Sequence, residues 1–154
     1  QMCIRDSFMH VKVLGTREVM SYPGFDELIE EYSQAFDNTH TGAVKVDWKA
    51  YKDFGDNLKT AAVIAEGKIV GIAAVLIQHS RHYDMPVVTM EALYLRRAYR
   101  KGTAGLRLLW AASDIAREAG AKGLALCAPP ESELERLCIA KGYADLRHVY
   151  WVPA

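Results

Sequence analysis

The sequence contains no apolar run of the length, about 20 residues, that a membrane-spanning helix needs. Its longest apolar stretch, 69–77, is interrupted by Gly71 and followed by polar residues. The first seven residues lack the apolar core of a signal peptide, and the chain begins with Gln rather than Met. We therefore expect no membrane partner. We interpret residues 1–7 as a non-native or disordered leader and residues 8–154 as a single domain.

Net charge is also absent, because 19 Lys and Arg residues balance 19 Asp and Glu residues. Proteins devoted to nucleic acids usually carry a basic excess, since phosphate neutralisation supplies much of their affinity. The balance therefore predicts no nucleic-acid partner. The hydrophobic share of 51% and the charged share of 25% are typical of a globular domain with its own core.

Cysteine is scarce, with only Cys3, Cys127 and Cys138. The odd number and the spacing fit neither a full set of disulfides nor a metal site. We interpret Cys127 and Cys138 as small, reduced core residues, which favours a cytoplasmic localisation. Potential metal ligands in the loop 79–84 have no second cluster to match, so we predict no metal.

The pattern of apolar residues predicts short, alternating elements without repeats or linkers. Apolar residues at alternate positions indicate strands, and apolar residues three and four apart indicate helices. The predicted strands cover 10–14, 61–65, 69–77, 87–95, 122–128 and 143–152, and the predicted helices cover 24–36, part of 46–57, 105–119 and the segment from the Ser132 capping box to Gly142. Gly71 inside a strand indicates a bulge or a close approach of another chain segment.

This order of elements predicts an α+β fold, in which a mixed, mostly antiparallel, twisted sheet is flanked by about four helices. The strands 87–95 and 122–128 should be parallel neighbours, because the long helix connects them as a crossover.

The segment 94–106 is the one most typical of a binding site. A strand ends there, basic and small residues follow, and a long helix begins. Small residues let the backbone approach a ligand, and the free N–H groups and dipole of a helix start attract anions. Arg100 and Lys101 add positive charge. The segment therefore predicts a site for a phosphate-bearing ligand, and the alternative is a plain turn with two solvated cations.

Two common phosphate motifs do not fit this loop, which lacks the Gly-Lys-Ser/Thr end of a P-loop and the glycine pattern of dinucleotide folds. Instead, the run YRKGTAG at 99–105, placed between a strand and a Leu-rich helix, resembles the acetyl-CoA loop of GNAT acyltransferases. That family's usual pattern is Arg/Gln-x-x-Gly-x-Gly/Ala. Arg100 and Gly105 match its ends, whereas Thr103 replaces the first glycine and Gly102 stands one position earlier.

The resemblance extends beyond the loop. The hairpin 62–71 is similar to the family's central hairpin, and the late helix ending in Gly142 and Tyr143 is similar to the family's last helix. Together these segments cover residues 61–152 in the family's order. The resemblance implies a GNAT-like fold for the whole sheet.

The resemblance also implies an acyl-CoA-dependent N-acyltransferase, with acetyl-CoA as co-substrate and a small-molecule or peptide amine as acceptor. The loop would hold the pyrophosphate, and the preceding strand would pair with the pantetheine arm. The cofactor-binding residues implied are Leu93, Tyr94, Leu95, Arg100, Lys101, Gly102, Thr103, Ala104 and Gly105. The alternative is a non-catalytic acyl-CoA-binding module of the same fold. The last strand, 143–152, could pair across a homodimer.

Catalysis requires a base, because an amine must lose its proton to attack a thioester. Many GNAT members use a Glu on the strand before the loop, which implies Glu91. Apolar neighbours, Met90 and Ala92, would raise the pKa of this carboxyl group, and the alternatives are a solvated Glu or one paired with Arg96. Cys138 replaces the family's usual tyrosine acid, and it is either an untypical acid or a buried core residue.

Acceptor contacts can be expected from two groups of side chains. Trp48, Tyr51 and Phe54 lie where acceptor pockets often form in this family, although they fit a core equally well. The residues His79, His82 and Tyr83 share a loop that could also reach an acceptor.

Overall fold

The computed structural model describes residues 8–36, 42–146 and 152–153, so the predicted leader lies outside the described residues. In chain order, the elements are strand β1 (Met9–Gly15), helices α1 (Thr16–Ser21), α2 (Phe25–Phe36) and α3 (Trp48–Asp53), strands β2 (Leu58–Ala65), β3 (Lys68–Ser80) and β4 (Met85–Leu95), helix α4 (Ala104–Glu118), strand β5 (Leu124–Ala125) and helix α5 (Glu133–Ala140). Within the described residues, no helix is long and apolar enough to cross a membrane.

The five strands form one sheet in the order β1-β2-β3-β4-β5. The first three pairings are antiparallel, and β5 runs parallel to β4. The predicted hairpin turns at Glu66 and Gly67, whose φ angles of 51° and 75° are the positive values that a tight two-residue hairpin needs. This topology confirms the predicted α+β fold and the parallel pairing of the strands on either side of the long helix.

Helices cover both faces of the sheet. Val63 of β2 packs in one cluster with Leu108 and Ile115 of α4. The next residue, Ile64, packs in a second cluster with Val19 of α1 and Leu28 of α2. Successive residues of a strand point to opposite faces, so α4 lies on one face and α1 and α2 lie on the other.

The helix ends follow from local hydrogen bonding, as the sequence predicted. At the end of α4, Gly120 has a φ of 80° and the Ala121 amide donates to the Ala116 carbonyl at 3.0 Å. This is a Schellman motif, which terminates a helix at a glycine. At the start of α5, the Ser132 hydroxyl oxygen accepts a hydrogen bond from the Glu135 amide at 3.1 Å and caps the helix.

Two elements differ from prediction among the described residues. Helix α1 was not predicted, because its six residues are too few to show a helical period. Strand β5 covers Leu124–Ala125 rather than 122–128. Apolar alternation reports burial, whereas strand assignment requires ladder hydrogen bonds, and β5 makes these over two residue pairs.

The C-terminal segment was predicted to contain a helix and a last strand, 143–152. Residues 143–146 are not in a strand, and 147–151, which make up most of the predicted last strand, lie outside the described residues. The predicted buried face of α5 consists of Leu134, Leu137 and Cys138, which are half-buried, and no residue of the helix is fully buried. The pattern therefore identified the helix and its inner face but overstated how deeply this face packs.

Gly71 lies where β3, β4 and α4 approach one another most closely. A bulge interrupts the pairing beside it, since Val63 pairs with Gly71 but Ile64 pairs with Ile69. A Cβ atom at Gly71 would lie 2.6 Å from the Leu95 Cδ1 atom and 3.2 Å from the Leu108 Cδ1 atom. The glycine thus lets α4 pack against the sheet close to the end of β4, as the sequence predicted.

We expect Gly71→Ala to lower the free energy of unfolding by about 1–3 kcal/mol, because overpacking forces neighbouring side chains out of place. Gly123→Ala is the matched control, since a Cβ atom there meets nothing within 4 Å, and its effect should stay within about 0.5 kcal/mol. Urea unfolding of both variants measures the difference. Equal stabilities would show that the approach at Gly71 has room for a methyl group.

Candidate functional site

The second half of β4 has a strand partner on one side only. Pairing with β3 continues to Leu95, whereas pairing with β5 comprises Val88 with Leu124 and Thr89 with Ala125. Beyond Thr89, no strand among the described residues pairs with the other edge of β4. The main-chain groups of Leu93, Tyr94 and Leu95 that face this edge are therefore available to an extended ligand, except the Leu95 carbonyl, which accepts a hydrogen bond from Arg100 Nε.

A β-bulge at Glu91 sets the direction of the side chains around this edge. Val75 of β3 pairs with Met90, and the preceding Ala74 pairs with Ala92, so Glu91 is the extra residue. As a result, Met90 packs towards the α4 cluster and Ala92 towards the α2 cluster, although residues two apart normally share a face. The bulge thus turns the two neighbours of Glu91 to opposite faces of the sheet.

The loop after β4 folds its arginine back onto the strand. Arg100 Nε donates to the Leu95 carbonyl oxygen at 2.8 Å, and its guanidinium carbon lies 5.1 Å from the centre of the Tyr94 ring. Gly102 has a φ of 88°, a backbone conformation that glycine adopts without strain. The displaced glycine that distinguishes this loop from the usual pattern therefore occupies a position where glycine is needed.

The start of α4 favours an anion. Thr103 is the N-cap but makes no capping hydrogen bond through its side chain, and the first turn contains no acidic residue. The first intrahelical bond runs from the Arg107 amide to the Thr103 carbonyl, so the amides of 104–106 precede the helical ladder. A Cβ atom at Gly105 would meet only Leu95, at 4.0 Å, which leaves room beside these amides.

Glu31 of α2 holds the junction between β4 and the loop. Its carboxylate accepts hydrogen bonds from the Tyr94 hydroxyl at 3.2 Å, from Arg96 Nε at 3.0 Å and from the Arg97 amide at 2.8 Å. Burial alone would raise the pKa of Glu31, but these donors outweigh it and hold the pKa below its ordinary value of 4.5. The ion pair with Arg96 is mostly shielded from water, so it fixes α2 to the end of β4.

Glu91 has neither the apolar surroundings nor the ion pair with Arg96 that the sequence suggested. The residue is exposed rather than enclosed by Met90 and Ala92, because the bulge turns these two neighbours to opposite faces. Arg96 bonds to Glu31 and not to Glu91. The Glu91 carboxylate instead accepts a hydrogen bond from the Tyr51 hydroxyl at 3.0 Å. Burial and then this hydrogen bond raise the pKa of Tyr51, so Tyr51 remains a donor at neutral pH.

A cavity of about 180 Å³ opens beside this pair, on the face of the sheet that α1 and α2 cover. Aromatic side chains form much of its wall, and Ala92 and Thr60 contribute from the sheet. Trp48 and Tyr51 line this cavity, which agrees with their interpretation as pocket residues. Phe54 is 40% exposed and does not line the cavity. Phe25 and Tyr32 line it too, although the sequence analysis did not assign them to a site.

His79, His82 and Tyr83, which could reach an acceptor according to the sequence, lie at the opposite end of β4 from the loop 100–105. The turn that carries them joins the end of β3 to the start of β4, whereas the loop 100–105 follows the end of β4. His79 Nε2 lies 3.0 Å from an Asp84 carboxylate oxygen, and the rings of His82 and Tyr83 pack edge to face. The described residues contain no group of three or more His, Cys, Asp or Glu side chains arranged to hold a metal ion.

The sequence profile of the acetyltransferase (GNAT) family matches residues 25–143. The chain belongs to this family. The match covers the α2 helix, the sheet from β2 onward and the loop that precedes α4. The predicted family is therefore confirmed.

Solved structures of the same fold agree with this assignment. An aminoglycoside acetyltransferase, HMB0005, from an uncultured soil metagenomic sample is 17% identical, with a TM-score of 0.73 over 95% of this chain and 98% of that chain. A ribosomal-protein-alanine N-acetyltransferase from Brucella melitensis biovar Abortus 2308 is also 17% identical, with a TM-score of 0.68 over 95% and 98%. The aminoglycoside N-acetyltransferase AAC(6')-Iy, crystallised with CoA, is 16% identical, with a TM-score of 0.69 over 95% and 94%.

The structural similarity to these proteins establishes the GNAT fold. Sequence identities this low do not identify the acceptor. No curated protein sequence matches the chain.

The cysteines of this GNAT domain differ from their predicted setting. Cys127 is exposed rather than part of the core, and Cys138 is half-buried on α5. Burial and then the nearby Glu135 raise the pKa of the Cys138 thiol, so the thiol stays protonated at neutral pH. Cys127 follows β5 at the point where the chain leaves the sheet, which explains its exposure.

Glu31 is the most important residue that the sequence analysis missed. Its partners Tyr94 and Arg96 lie 63 and 65 residues away, so no local pattern connects them. One signal was present: Glu31 stands three residues after the buried Leu28, which places it beside the apolar face of α2 rather than on its solvated face.

We expect Glu31→Gln to lower the free energy of unfolding by about 1–3 kcal/mol at pH 7, because three charge-assisted hydrogen bonds to the carboxylate are weakened. Glu30→Gln, at an exposed neighbour on the same helix, should have little effect.

The deficit of Glu31→Gln should also depend on pH. The pKa of Glu31 is lower in the folded state than in the unfolded state, so its ionisation stabilises the wild-type protein at pH values above the unfolded-state pKa. This stabilisation is lost as the pH falls below 4.5 towards the folded-state pKa. Urea midpoints of wild type and variant should therefore converge on acidification. A deficit that stays constant from pH 7 to below the folded-state pKa would contradict the role of the ionised carboxylate.

Proposed function

We propose that this protein transfers an acetyl group from acetyl-CoA to a primary amine. Membership of the acetyltransferase family sets the reaction class. The observation that supports the proposal most directly is the continuity of two features: the unpaired edge of β4 leads into the anion-attracting start of α4.

The residues around the loop suit the pyrophosphate of CoA. The amides of Ala104 and Gly105 lie in the first turn of a 15-residue helix, where N–H groups and the helix dipole attract phosphate. Lys101, Gly102 and Thr103 are exposed beside that turn, so charge and backbone donors are accessible to a ligand. We assign these five residues, together with Arg100, to the binding of the pyrophosphate.

The pantetheine arm is assigned to the edge of β4. Its two amide groups need donors and acceptors, and an extended chain can obtain both from a strand edge. Leu93, Tyr94 and Leu95 would supply these through main-chain groups, while their side chains stay packed in the two clusters on either face. Binding of this kind depends on backbone geometry, which the Glu31 hydrogen bonds stabilise.

Glu91 is the base that we propose for the reaction. The amine nitrogen attacks the thioester carbonyl carbon, the carbon–sulfur bond breaks, and CoA leaves as a thiolate that then takes up a proton. The proton lost by the amine passes to the Glu91 carboxylate, directly or through one water. The hydrogen bond from Tyr51 holds the carboxylate at the mouth of the cavity.

The proton for the thiolate has a less obvious source. Cys138 replaces the family's usual tyrosine, and a half-buried thiol is an untypical proton donor. This observation favours the second candidate function, a non-catalytic acyl-CoA-binding module. Release of free CoA thiol from acetyl-CoA in the presence of an amine panel distinguishes the two functions, since a binding module would release none above the hydrolysis background.

The described cysteines are free thiols, which suits the cytoplasmic location that we propose for this activity.

We expect Gly105→Glu to abolish CoA binding, because it places a carboxylate and added bulk beside the amides that bind phosphate. The protein itself tolerates a Cβ atom at this position, so the variant should stay folded. Gly105→Ala is the control and should bind CoA more tightly than Gly105→Glu. Isothermal titration with CoA measures all three proteins, and normal affinity in a folded Gly105→Glu variant would refute the loop assignment.

We expect Glu91→Gln to lower kcat by about 100-fold or more at neutral pH with unchanged CoA affinity, which is the contribution typical of a general base. The exposed Glu91 side chain makes no core contact, so stability should be retained. The acidic limb of the kcat/KM profile should disappear in the variant. An unchanged profile would remove Glu91 from the mechanism.

A further inference from the structure

The cavity beside Glu91 has the size of one ring. Its volume of about 180 Å³ is below the roughly 300–1,000 Å³ of pockets for drug-sized ligands. It is similar to the ~150 Å³ apolar cavity in another protein that accommodates benzene. A multi-ring molecule would therefore have to remain mostly outside.

The wall of the cavity is aromatic and aliphatic. Phe25 packs edge to face on Trp48, with ring centres 5.4 Å apart, and Trp48 contacts Tyr51 at 6.1 Å. Val46 and Ala92 add aliphatic surface. Such a wall stabilises an apolar body, and the aromatic faces also tolerate one nearby cation.

Charge at the cavity is limited and does not suit a polycation. Of the described residues that line it, only Lys45 and Asp47 are charged, and both are exposed at its rim. The Asp47 carboxylate already accepts the Ala50 amide at 3.0 Å as the cap of α3. Each additional ammonium group would need its own carboxylate on entering this apolar space, and Lys45 would repel it.

One carboxylate, that of Glu91, is exposed at the mouth of this space, where Tyr51 of the wall donates a hydrogen bond to it. It can receive a single amino group on the strand to whose edge the pantetheine arm is assigned. The apolar body of the acceptor would then occupy the space between Phe25, Trp48 and Val46.

We infer that the acceptor is a small primary amine with one amino group attached to a single apolar or aromatic ring-sized body. This inference rests on the proposed function and narrows its substrate class. Polycationic amines such as aminoglycosides and polyamines are excluded by the same surfaces. The aminoglycoside enzymes of similar fold are 17% identical or less among those described above, so they carry no information about this acceptor.

The first test measures binding without turnover. Protein saturated with CoA is titrated calorimetrically with 2-phenylethylamine, with spermidine and with kanamycin. We expect 2-phenylethylamine to bind at least tenfold more tightly than either polycation. Tighter binding of a polycation, or no binding of 2-phenylethylamine, would overturn the inference.

The second test alters the wall of the cavity. Val46→Asp places a carboxylate beside the apolar body, and we expect it to weaken 2-phenylethylamine binding at least tenfold with unchanged CoA affinity. Val13→Asp is the matched control, because Val13 is 54% exposed on β1 and does not line the cavity. Circular dichroism verifies the folding of both variants. Equal amine affinity in the two would place the apolar body elsewhere.

Turnover with acetyl-CoA then separates this inference from the proposed function. If 2-phenylethylamine binds but no amine is acetylated, the acetyltransferase proposal fails while the cavity retains its assigned ligand class. If spermidine or kanamycin has the higher kcat/KM, the enzyme activity stands and the inferred acceptor class is wrong.

Discussion

Backbone amide and carbonyl groups that leave water need hydrogen-bond partners. Among the described residues, the second half of β4 finds strand partners on one side only. Strand β5 accompanies β4 at Val88 and Thr89 and then departs. The edge that remains ends beside the first turn of α4, whose amides also precede the helical ladder. Two sets of polar main-chain groups thus meet at one place, and an extended ligand with a phosphate end would satisfy both.

Two contacts on opposite faces of the sheet stabilise the end of β4. Gly71 lets α4 pack close to the end of β4 on one face, and Glu31 ties the same strand end to α2 on the other. The bulge at Glu91 adds an exposed carboxylate to β4, and Tyr51, which lines the aromatic cavity, donates a hydrogen bond to it. The surfaces that we propose for cofactor, base and acceptor therefore share one short segment of strand.

The sequence predicted those parts of the protein that depend on local chemistry. The glycine stop at Gly120 and the close approach at Gly71 each follow from one residue type in one backbone setting. The contacts of Glu31 and Tyr51 were not predicted, because their partners are separated by 40 residues or more. Such pairs depend on how the helices pack over the sheet, which periodicity does not specify.

The most direct measurement of the central claim is a thermal unfolding experiment with acetyl-CoA, CoA and ATP, each added separately. At 100 times its dissociation constant, a ligand bound to the native state stabilises it by about 2.7 kcal/mol, which corresponds to an increase in Tm of about 5–11 °C. The account predicts this increase with acetyl-CoA and CoA and little change with ATP, which lacks the pantetheine arm. No increase with either thiol ligand in a folded protein would contradict it.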